Sequence, residues 1–294
     1  MGAPAMSRTD TAVRSSVPRR TGARHHRRAV GAPIGSRSIA VVQRHERHSF
    51  IVDRLANDGH VSVRELAEEL NVSTASVRRD LEFLESQRSL VRTHGGAVAH
   101  GLIYELPLRY RAGRRENEKR RIAAKAASRV PLEGAVVGLT GGTTTTEVAR
   151  CLVDRNQLTV ITNALNIANE LVVRPSVKLV VTGGVARPRS YELCGPLAEA
   201  TLEGINADIV FVGVDGISGS AGCTTHHEVE AHTDRTLLSR ASRVIVVADS
   251  SKVGRVAFAQ LCPLEQVDEF ITDREVERDQ VAVLEAAGVT VTCV

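Results

Sequence analysis

The sequence is poor in aromatic side chains, with five Phe, three Tyr and no Trp in 294 residues. Proteins that bind RNA or single-stranded nucleic acid commonly stack bases on such rings, so this scarcity disfavours both classes. Apolar runs are also short, and none approaches the ~20 residues that a membrane-spanning helix needs. With 43% hydrophobic and 24% charged residues, we expect an ordinary globular chain that has no membrane partner.

Motifs for metals and nucleotides are also missing. The five cysteines are odd in number and form no C-x-x-C pair, which argues against a disulfide framework and a zinc site. His226 and His227 lie beside Glu228 and Glu230, but adjacent residues point in different directions and no third ligand stands at metal-site spacing. The sequence contains neither a Walker A loop nor G-x-G-x-x-G. We therefore predict no metal and no cofactor.

Positive charge is concentrated near the N-terminus. Residues 1–50 contain ten Lys or Arg against two Asp or Glu, whereas residues 51–100 contain six against eight. Because residues 1–42 show no apolar periodicity, we predict a disordered basic tail. Two interpretations stay open: the tail adds non-specific attraction to phosphates, or it is only a solvated extension, even one produced by an over-long gene model.

Residues 43–100 have the pattern of a winged helix-turn-helix. A first helix over residues 44–57 ends at the turn pair Asp58-Gly59, and Ser62 with Glu65 forms a capping box that begins a second helix. Ser73 can cap a third helix that continues to about residue 87. Apolar runs on either side of His94-Gly95-Gly96 then predict a two-stranded wing.

The third helix and the wing supply the candidate DNA contacts. Val77, Leu81 and Leu84 form the buried stripe of the third helix. The opposite face of this helix is then an exposed ridge that fits a major groove. The candidate contacts to bases or phosphates are Ser73, Thr74, Ser76, Arg78 and Arg79 on the helix, and Arg92, His94, Gly95 and Gly96 on the wing. An alternative stays open, in which one helix arginine pairs with Asp80 or Glu82.

A linker over residues 101–115 leads to an α/β domain over residues 116–294. Short β-branched runs alternate there with helical patterns, which predicts a Rossmann-like fold with a mostly parallel sheet. The runs occupy residues 136–139, 158–162, 178–182, 208–214, 243–248, 269–272 and 290–294. We expect this domain to sense an effector and to form a homo-oligomer.

Polar residues follow several of these runs, at the sheet edge where open α/β folds bind ligands. The Gly-Thr stretch at residues 141–146 precedes a helix, so its backbone N–H groups can hold an anion. Lys252 suits a phosphate, and Asp215 or Asn163 suits sugar hydroxyls. The candidate effector-binding residues are Gly141, Gly142, Thr143, Thr144, Thr145, Thr162, Asn163, Gly183, Gly184, Asp215 and Lys252.

From about residue 43 to the C-terminus, the chain resembles the DeoR family of bacterial sugar-metabolism regulators. The helix-turn-helix signature is present as Arg47, Ile51 and Leu55, followed by Ser73 and then S-V-R-R-D-L at residues 76–81. The wing sequence RTHGGAV and the later motifs TNALNIANEL, VTGG, CGPLAEATL, ADIVFVGVDGIS and VADSSKVGRVAF follow in the family's order. Two departures are Thr140, where the family commonly has Asp, and Asp234, where it commonly has Lys.

The resemblance implies a cytoplasmic regulator that binds an operator in double-stranded DNA until a phosphorylated sugar releases it, so that it represses transcription. It also implies that the C-terminal domain shares the fold of ribose-phosphate isomerases and glucosamine-phosphate deaminases. Two alternatives stay open: a sugar-phosphate isomerase or deaminase fused to a DNA-binding domain, and a regulator whose C-terminal domain only oligomerises.

Overall fold

Three short helices and a small antiparallel sheet form the N-terminal region, which confirms the predicted winged helix-turn-helix. The structure, a computed structural model, describes residues 43–87, 89–98 and 107–294. The predicted basic tail, residues 1–42, and the predicted linker before Pro107 lie outside these residues. The elements are α1 (Arg44–Asp58), β1 (His60–Ser62), α2 (Val63–Glu69), α3 (Thr74–Ser86), β2 (Val91–Arg92) and β3 (Gly96–Val98), and the strand order is β1-β3-β2.

Local chemistry sets the ends of these helices. Gly59, at φ +74°, ends α1 in the left-handed conformation that glycine adopts most easily. The Ser62 Oγ accepts from the backbone N–H of Glu65 at 3.5 Å, which forms one half of the predicted capping box. A reciprocal box occurs instead at α1, where the Gln43 N–H donates to Glu46 Oε2 at 2.8 Å.

A buried carboxylate ties α3 to α1. Asp80 is 2% exposed, and Arg47 donates to both of its oxygens, at 2.8 and 3.2 Å. The His48 Nε2 lies 3.0 Å from Asp80 Oδ1, and burial lowers the pKa of His48 despite this partner. Val77 and Leu81 are buried on the same helix, as predicted. The ion pair and the apolar stripe together fix the orientation of α3.

Seven parallel strands form the sheet of the C-terminal region, and they correspond to the seven predicted runs. The strands and helices are α4 (Leu108–Arg111), α5 (Glu116–Ala127), β4 (Val136–Leu139), α6 (Thr143–Cys151), β5 (Leu158–Thr162), α7 (Leu165–Leu171), β6 (Val177–Val181), β7 (Val185–Ala186), β8 (Leu193–Cys194), α8 (Pro196–Glu203), β9 (Ile209–Val212), β10 (Gly216–Ser218), β11 (Gly222–Thr225), α9 (Glu228–Leu238), β12 (Val244–Val247), β13 (Ala259–Cys262), β14 (Glu269–Thr272), α10 (Arg278–Ala286) and β15 (Thr290–Cys293). The order β15-β14-β12-β9-β4-β5-β6 confirms the Rossmann-like prediction.

Alternation along the strands fills a core on each face of this sheet. Phe211 packs in one cluster with Leu139 and Val247, whereas its neighbours Val210 and Val212 pack in the other. Strands that are buried on both faces read as unbroken apolar runs, which is why the sequence predicted them. Among the described residues, no helix is both long and apolar enough to cross a membrane.

Two small antiparallel sheets escaped the sequence-based prediction. One has the order β10-β11-β13, and the other pairs β7 with β8. Their strands are two to four residues long, too short for a periodic pattern to identify. Both follow strands of the main sheet and lie toward its carboxyl edge.

Residues 107–115, here called the connector, contain a helix where the sequence predicted a polar linker. Leu108 and Tyr110 of α4 are buried, and Tyr110 belongs to the apolar core of the winged helix. The Leu108 N–H donates to the Arg189 carbonyl at 2.7 Å, which attaches the same helix to the C-terminal region. The two regions therefore pack within one compact unit, residues 42–294.

The packing of the wing predicts that alanine substitutions at its two adjacent glycines differ in their effect on stability. A Cβ on Gly96 would lie 1.8 Å from the Val61 carbonyl oxygen, whereas a Cβ on Gly95 would meet nothing within 4 Å. We expect Gly96→Ala to destabilise the chain by about 1–3 kcal/mol, because β3 must move away from β1. Gly95→Ala, the matched control, should stay within about 0.5 kcal/mol of wild type. Equal melting temperatures for both variants, measured by circular dichroism, would contradict this packing.

Candidate functional site

The predicted DNA-binding residues of α3 lie along one exposed ridge. Thr74, Arg78 and Arg79 are exposed, and neither arginine has an ion pair or hydrogen bond with the described residues. Two unpaired guanidinium groups on one helix face suit phosphates or guanine edges. Ser73 has a second role, because its Oγ accepts from the Ser76 N–H at 3.1 Å and thereby caps the helix.

The wing lies directly beside this ridge. Arg92 Nη1 is 3.1 Å from Glu82 Oε1, and the Arg92 N–H donates to Glu85 at 3.1 Å. His94 and Gly95 are exposed, whereas Gly96 is buried between strands. Glu82 is thus paired with the wing rather than with an arginine of α3. The alternative in which a helix arginine pairs with Asp80 or Glu82 does not occur in this structure.

A cavity of about 340 Å³ opens beyond the carboxyl ends of β4, β9 and β12. This is the edge at which open α/β sheets bind ligands. Six predicted effector-binding residues line it: Gly141, Gly142, Thr143, Thr144, Asp215 and Lys252. The structure therefore brings these six residues together at one cavity.

The glycine loop before α6 lets neighbouring groups come close to its backbone. A Cβ on Gly141 would lie 1.7 Å from Glu192 Oε1, so the Glu192 side chain would have to move, and Gly142 has φ +138°, a conformation that favours glycine. No side chain caps α6. The first-turn N–H groups, including those of Thr143 and Thr144, therefore face the cavity without an intrahelical acceptor.

The other predicted effector-binding residues support this edge without lining the cavity. The Thr145 hydroxyl donates to the Gly142 carbonyl at 3.1 Å, and the Thr162 hydroxyl donates to the Leu139 carbonyl at 2.8 Å. Asn163 Nδ2 donates to Asp234 Oδ1 at 3.0 Å. Gly183 and Gly184 lie against α8 and β8, where a Cβ on Gly184 would meet the Cys194 backbone at 2.8 Å.

The connector contributes a cationic wall that the sequence-based reasoning missed. Arg111, Arg114 and Arg115 come from the connector, and Lys119 follows in α5; all four line the cavity. Three arginines within five residues were the available signal, but the linker assignment hid it. Lys252 and the exposed Arg255 also line the cavity, which brings the cations of its lining to six.

A charge cluster centred on Asp215 joins this wall to the end of β9. Arg111 Nη1 lies 2.8 Å and Lys252 Nζ 3.3 Å from Asp215 Oδ1, and the Thr225 hydroxyl donates to Oδ2 at 3.2 Å. Burial raises the pKa of Asp215, but Arg111 and Lys252 outweigh it and hold that pKa well below its usual range. Lys252 is thus already partnered at the cavity surface.

Lys119 is a buried amine at the base of the cationic wall. It is 4% exposed, and its Nζ donates to the Arg111 carbonyl at 2.7 Å. Burial lowers its pKa from 10.5 to about 8, although Asp249 partly offsets the effect. A bound anion would favour the charged amine and restore a higher pKa.

Three buried carboxyl groups form another part of the cavity lining: Glu192, Glu230 and Asp234. Burial, together with the charge of Glu230, raises the pKa of Asp234 to about 8. Burial also raises the pKa of Glu192 well above its usual value, with Asp234 and Glu230 adding to the shift. Glu230 forms an ion pair with Arg187.

The two adjacent histidines point to different partners. His226 Nε2 lies 4.0 Å from Asp215 Oδ2, whereas His227 Nδ1 accepts from the Val229 N–H at 3.2 Å and caps α9. The described residues contain no group of three or more His, Cys, Asp or Glu that could hold a metal ion. These histidines therefore serve the Asp215 cluster and a helix end.

Both parts of the chain match known sequence families. Residues 114–274 match the DeoR C terminal sensor domain, and residues 47–100 match the DeoR-like helix-turn-helix domain. The chain is 37% identical over 250 residues to the HTH-type transcriptional regulator GlpR of Haloferax volcanii, a match that covers 84% of this chain and 96% of the relative. It is 33% identical over 231 residues to the glycerol-3-phosphate regulon repressor of Escherichia coli K12, covering 78% and 90%.

A third relative is the putative aga operon transcriptional repressor of Escherichia coli O157:H7, 36% identical over 252 residues, covering 85% of this chain and 93% of the relative. A ribose 5-phosphate isomerase from Plasmodium falciparum aligns over 46% of this chain and 51% of its own, with 16% identity and a TM-score of 0.34. That likeness is too low to support any argument about fold or reaction.

The fold, the exposed ridge of α3 and these matches define a DNA-binding transcriptional regulator with a separate sensor region. The chain belongs to the DeoR family, as its motifs predicted.

The two departures from the family pattern have different surroundings. Thr140 is fully buried, and its hydroxyl accepts from the Gly213 N–H at 3.0 Å, so it joins the loops after β4 and β9. Asp234, by contrast, lines the cavity. The second departure therefore changes the charge that a ligand meets.

The raised pKa of Asp234 predicts that the folded chain loses stability as the pH rises. Because its pKa is raised from 3.8 to about 8, the folded chain keeps a proton that the unfolded chain has lost. Stability that depends on this proton is complete below pH ~4 and is lost as the pH rises through ~8. We expect Asp234→Asn to be more stable than wild type at pH 9, by at least about 1 kcal/mol, and to converge with it near pH 4.

Urea denaturation between pH 4 and pH 9 would measure this difference. Asp154→Asn removes an exposed carboxylate and should follow the wild-type profile. If the difference between Asp234→Asn and wild type does not change with pH, the proposed burial of this carboxyl group is wrong.

Proposed function

We propose that the chain represses carbohydrate-metabolism genes and leaves its operator when a phosphorylated sugar enters the cavity. The observation that carries this proposal is the convergence of the Gly141-Gly142 loop, the start of α6 and six cationic side chains on one cavity. Backbone N–H groups at a helix start and nearby cations are the usual partners of a phosphate. The names of two relatives, repressors of a glycerol-3-phosphate regulon and of an aga operon, support the same assignment.

The connector links the cavity to the DNA-binding region. Tyr110 packs in the core of the winged helix, and the next residue, Arg111, pairs with Asp215. Arg114 lines the cavity, and its Nε lies 3.0 Å from Oδ1 of Asp53 on α1. A ligand that competes for these arginines changes contacts to α1, which provides a physical route for regulation.

DNA recognition uses α3 and the wing. Arg78 and Arg79 contact bases or phosphates in the major groove, and Arg92, His94 and Gly95 approach the backbone beside it. The regulator acts in the cytoplasm on duplex operator DNA. A homo-oligomer with two-fold symmetry matches paired half-sites, so we include oligomerisation in the proposal.

An enzyme remains the second candidate function, because Asp234 titrates near neutral pH inside a cavity that suits a sugar phosphate. Groups with such pKa values are suited to general acid–base catalysis. Incubation of the chain with pentose and hexosamine phosphates discriminates the two candidates. We expect no turnover, and several turnovers per chain would establish an enzyme.

Operator binding can be measured by fluorescence anisotropy, with the upstream region of the gene against a scrambled duplex over a salt series. We expect preferential binding to the upstream region that one sugar phosphate weakens. Arg78→Ala and Arg79→Ala should each weaken it by roughly 1–3 kcal/mol if the arginine contacts a base. Arg120→Ala, an exposed arginine of α5 that pairs with Glu116, is the matched control and should bind as wild type does.

Lys252→Ala should still bind the operator but should lose its response to the sugar phosphate. Equal and steeply salt-dependent binding of wild type to both duplexes would leave only non-specific attraction, and it would contradict the proposal.

A further inference from the structure

Most charged side chains that line the cavity already have an oppositely charged partner. Such pairs neutralise each other, so they leave little net charge for a ligand to complement. The pairs are Arg111 and Lys252 with Asp215, Arg114 with Asp53, Arg115 with Asp249, and Arg187 with Glu230.

Two cations and two carboxyl groups of the lining differ from this pattern. Lys119 and Arg255 form no ion pair within the described part of the chain, and neither do Glu192 and Asp234. The cavity thus offers two cations and two carboxyl groups that lack an ion-pair partner among the described residues. A ligand with a phosphate alone would match only the cationic half.

One carboxyl oxygen of Glu192 lacks a hydrogen-bond partner among the described residues. The residue is 6% exposed, and among the described residues its Oε2 has no hydrogen-bond partner. A buried acceptor without a donor costs about 1–3 kcal/mol. Because Glu192 lines the cavity, a ligand with a donor group offers the partner that this carboxyl group lacks.

Asp234 stands in the same carboxyl cluster. It accepts one hydrogen bond from Asn163, and it forms no ion pair with any cation of the described residues. Burial raises the pKa of both Glu192 and Asp234, Glu230 raises both further, and Asp234 adds to the shift of Glu192, so the cavity without a ligand favours the protonated forms of Glu192 and Asp234.

An ammonium group fits this cluster better than a hydroxyl group. A hydroxyl brings one donor and no charge, whereas an ammonium brings three donors and a positive charge. Hydrogen bonds between an ammonium and carboxylates are roughly twice as strong as neutral ones. A bound ammonium also favours the ionised carboxylates, so protons leave the site when it binds.

We propose that the ligand of this cavity is an amino-sugar phosphate, whose ammonium group binds Glu192 and Asp234 while its phosphate binds the α6 start and the cationic wall. The inference rests on the proposed function, since it assumes a phosphorylated sugar as effector. The cavity volume of about 340 Å³ accommodates a hexose monophosphate.

Isothermal titration calorimetry with matched ligand pairs tests the inference. Glucosamine 6-phosphate and glucose 6-phosphate differ only by an amine in place of a hydroxyl, and galactosamine 6-phosphate with galactose 6-phosphate forms a second pair. We expect the amino sugar of at least one pair to bind ten-fold or more tightly than its hydroxyl counterpart at pH 7.5. Titrations in buffers of different ionisation enthalpy should show proton release for that amino sugar only.

Substitutions of the two carboxyl groups test whether they cause the preference for the amino sugar. Glu192→Gln and Asp234→Asn should reduce the preference for the amino sugar by at least five-fold while they keep the affinity for its hydroxyl counterpart. Glu147→Gln, on α6 but outside the cavity lining, is the control and should change neither affinity.

The possible failures are distinguishable. If the hydroxyl sugars bind as tightly as the amino sugars, or if the preference survives in both variants, this inference is wrong and the proposed function stands. If no sugar phosphate of either kind binds, both are wrong.

Discussion

The ion pair between Arg111 and Asp215 is the contact on which the arrangement of the two regions depends. Asp215 follows β9 at the carboxyl edge of the sheet, and Arg111 follows Tyr110, which is buried in the winged-helix core. Lys119 bonds the Arg111 carbonyl and so fixes the backbone of the same residue. Because the partners are mostly buried, removing either would leave an uncompensated charge, which is costly. One charge cluster thus holds the sensor, the connector and the DNA-binding region in register.

The same cluster explains why the cavity is suited to regulation. A phosphate that enters near Lys252 and Arg111 competes with Asp215 for these cations, since each has a limited set of donors. In the proposed regulation, a displacement of Arg111 or Arg114 would reach α1 through the contacts of Tyr110 and Asp53. A ligand can shift the equilibrium between two arrangements only by its difference in affinity for them, typically about 1–3 kcal/mol. We propose that the contacts at the connector supply this difference.

Local sequence patterns predicted much of this structure. The seven strands were predictable because strands buried on both faces are unbroken apolar runs, and the stripe of Val77, Leu81 and Leu84 identified the buried face of α3. The glycines of the α6 loop were also recognisable. These features depend on neighbours in sequence, so a short window contains the necessary information.

The missed features depend on residues far apart in the chain. Arg111 meets Asp215 across about a hundred residues, and Glu192 reaches Gly141 from a hairpin too short to predict. Gly184 resembles a ligand-binding turn, yet its role is to let a strand approach closely. The ends of the predicted strands therefore indicated the edge of the sheet at which the cavity lies. Only the tertiary structure shows which residues line the cavity and which pack behind it.

We propose that ligand binding in the cavity changes the contacts of α1 through the connector. Hydrogen–deuterium exchange of the full chain, with and without saturating glucosamine 6-phosphate and separately with inorganic phosphate, tests it most directly. We expect slower exchange at the first turn of α6 together with altered exchange in the connector and around Asp53. Changes confined to the cavity, with the connector and α1 unaffected, would contradict it.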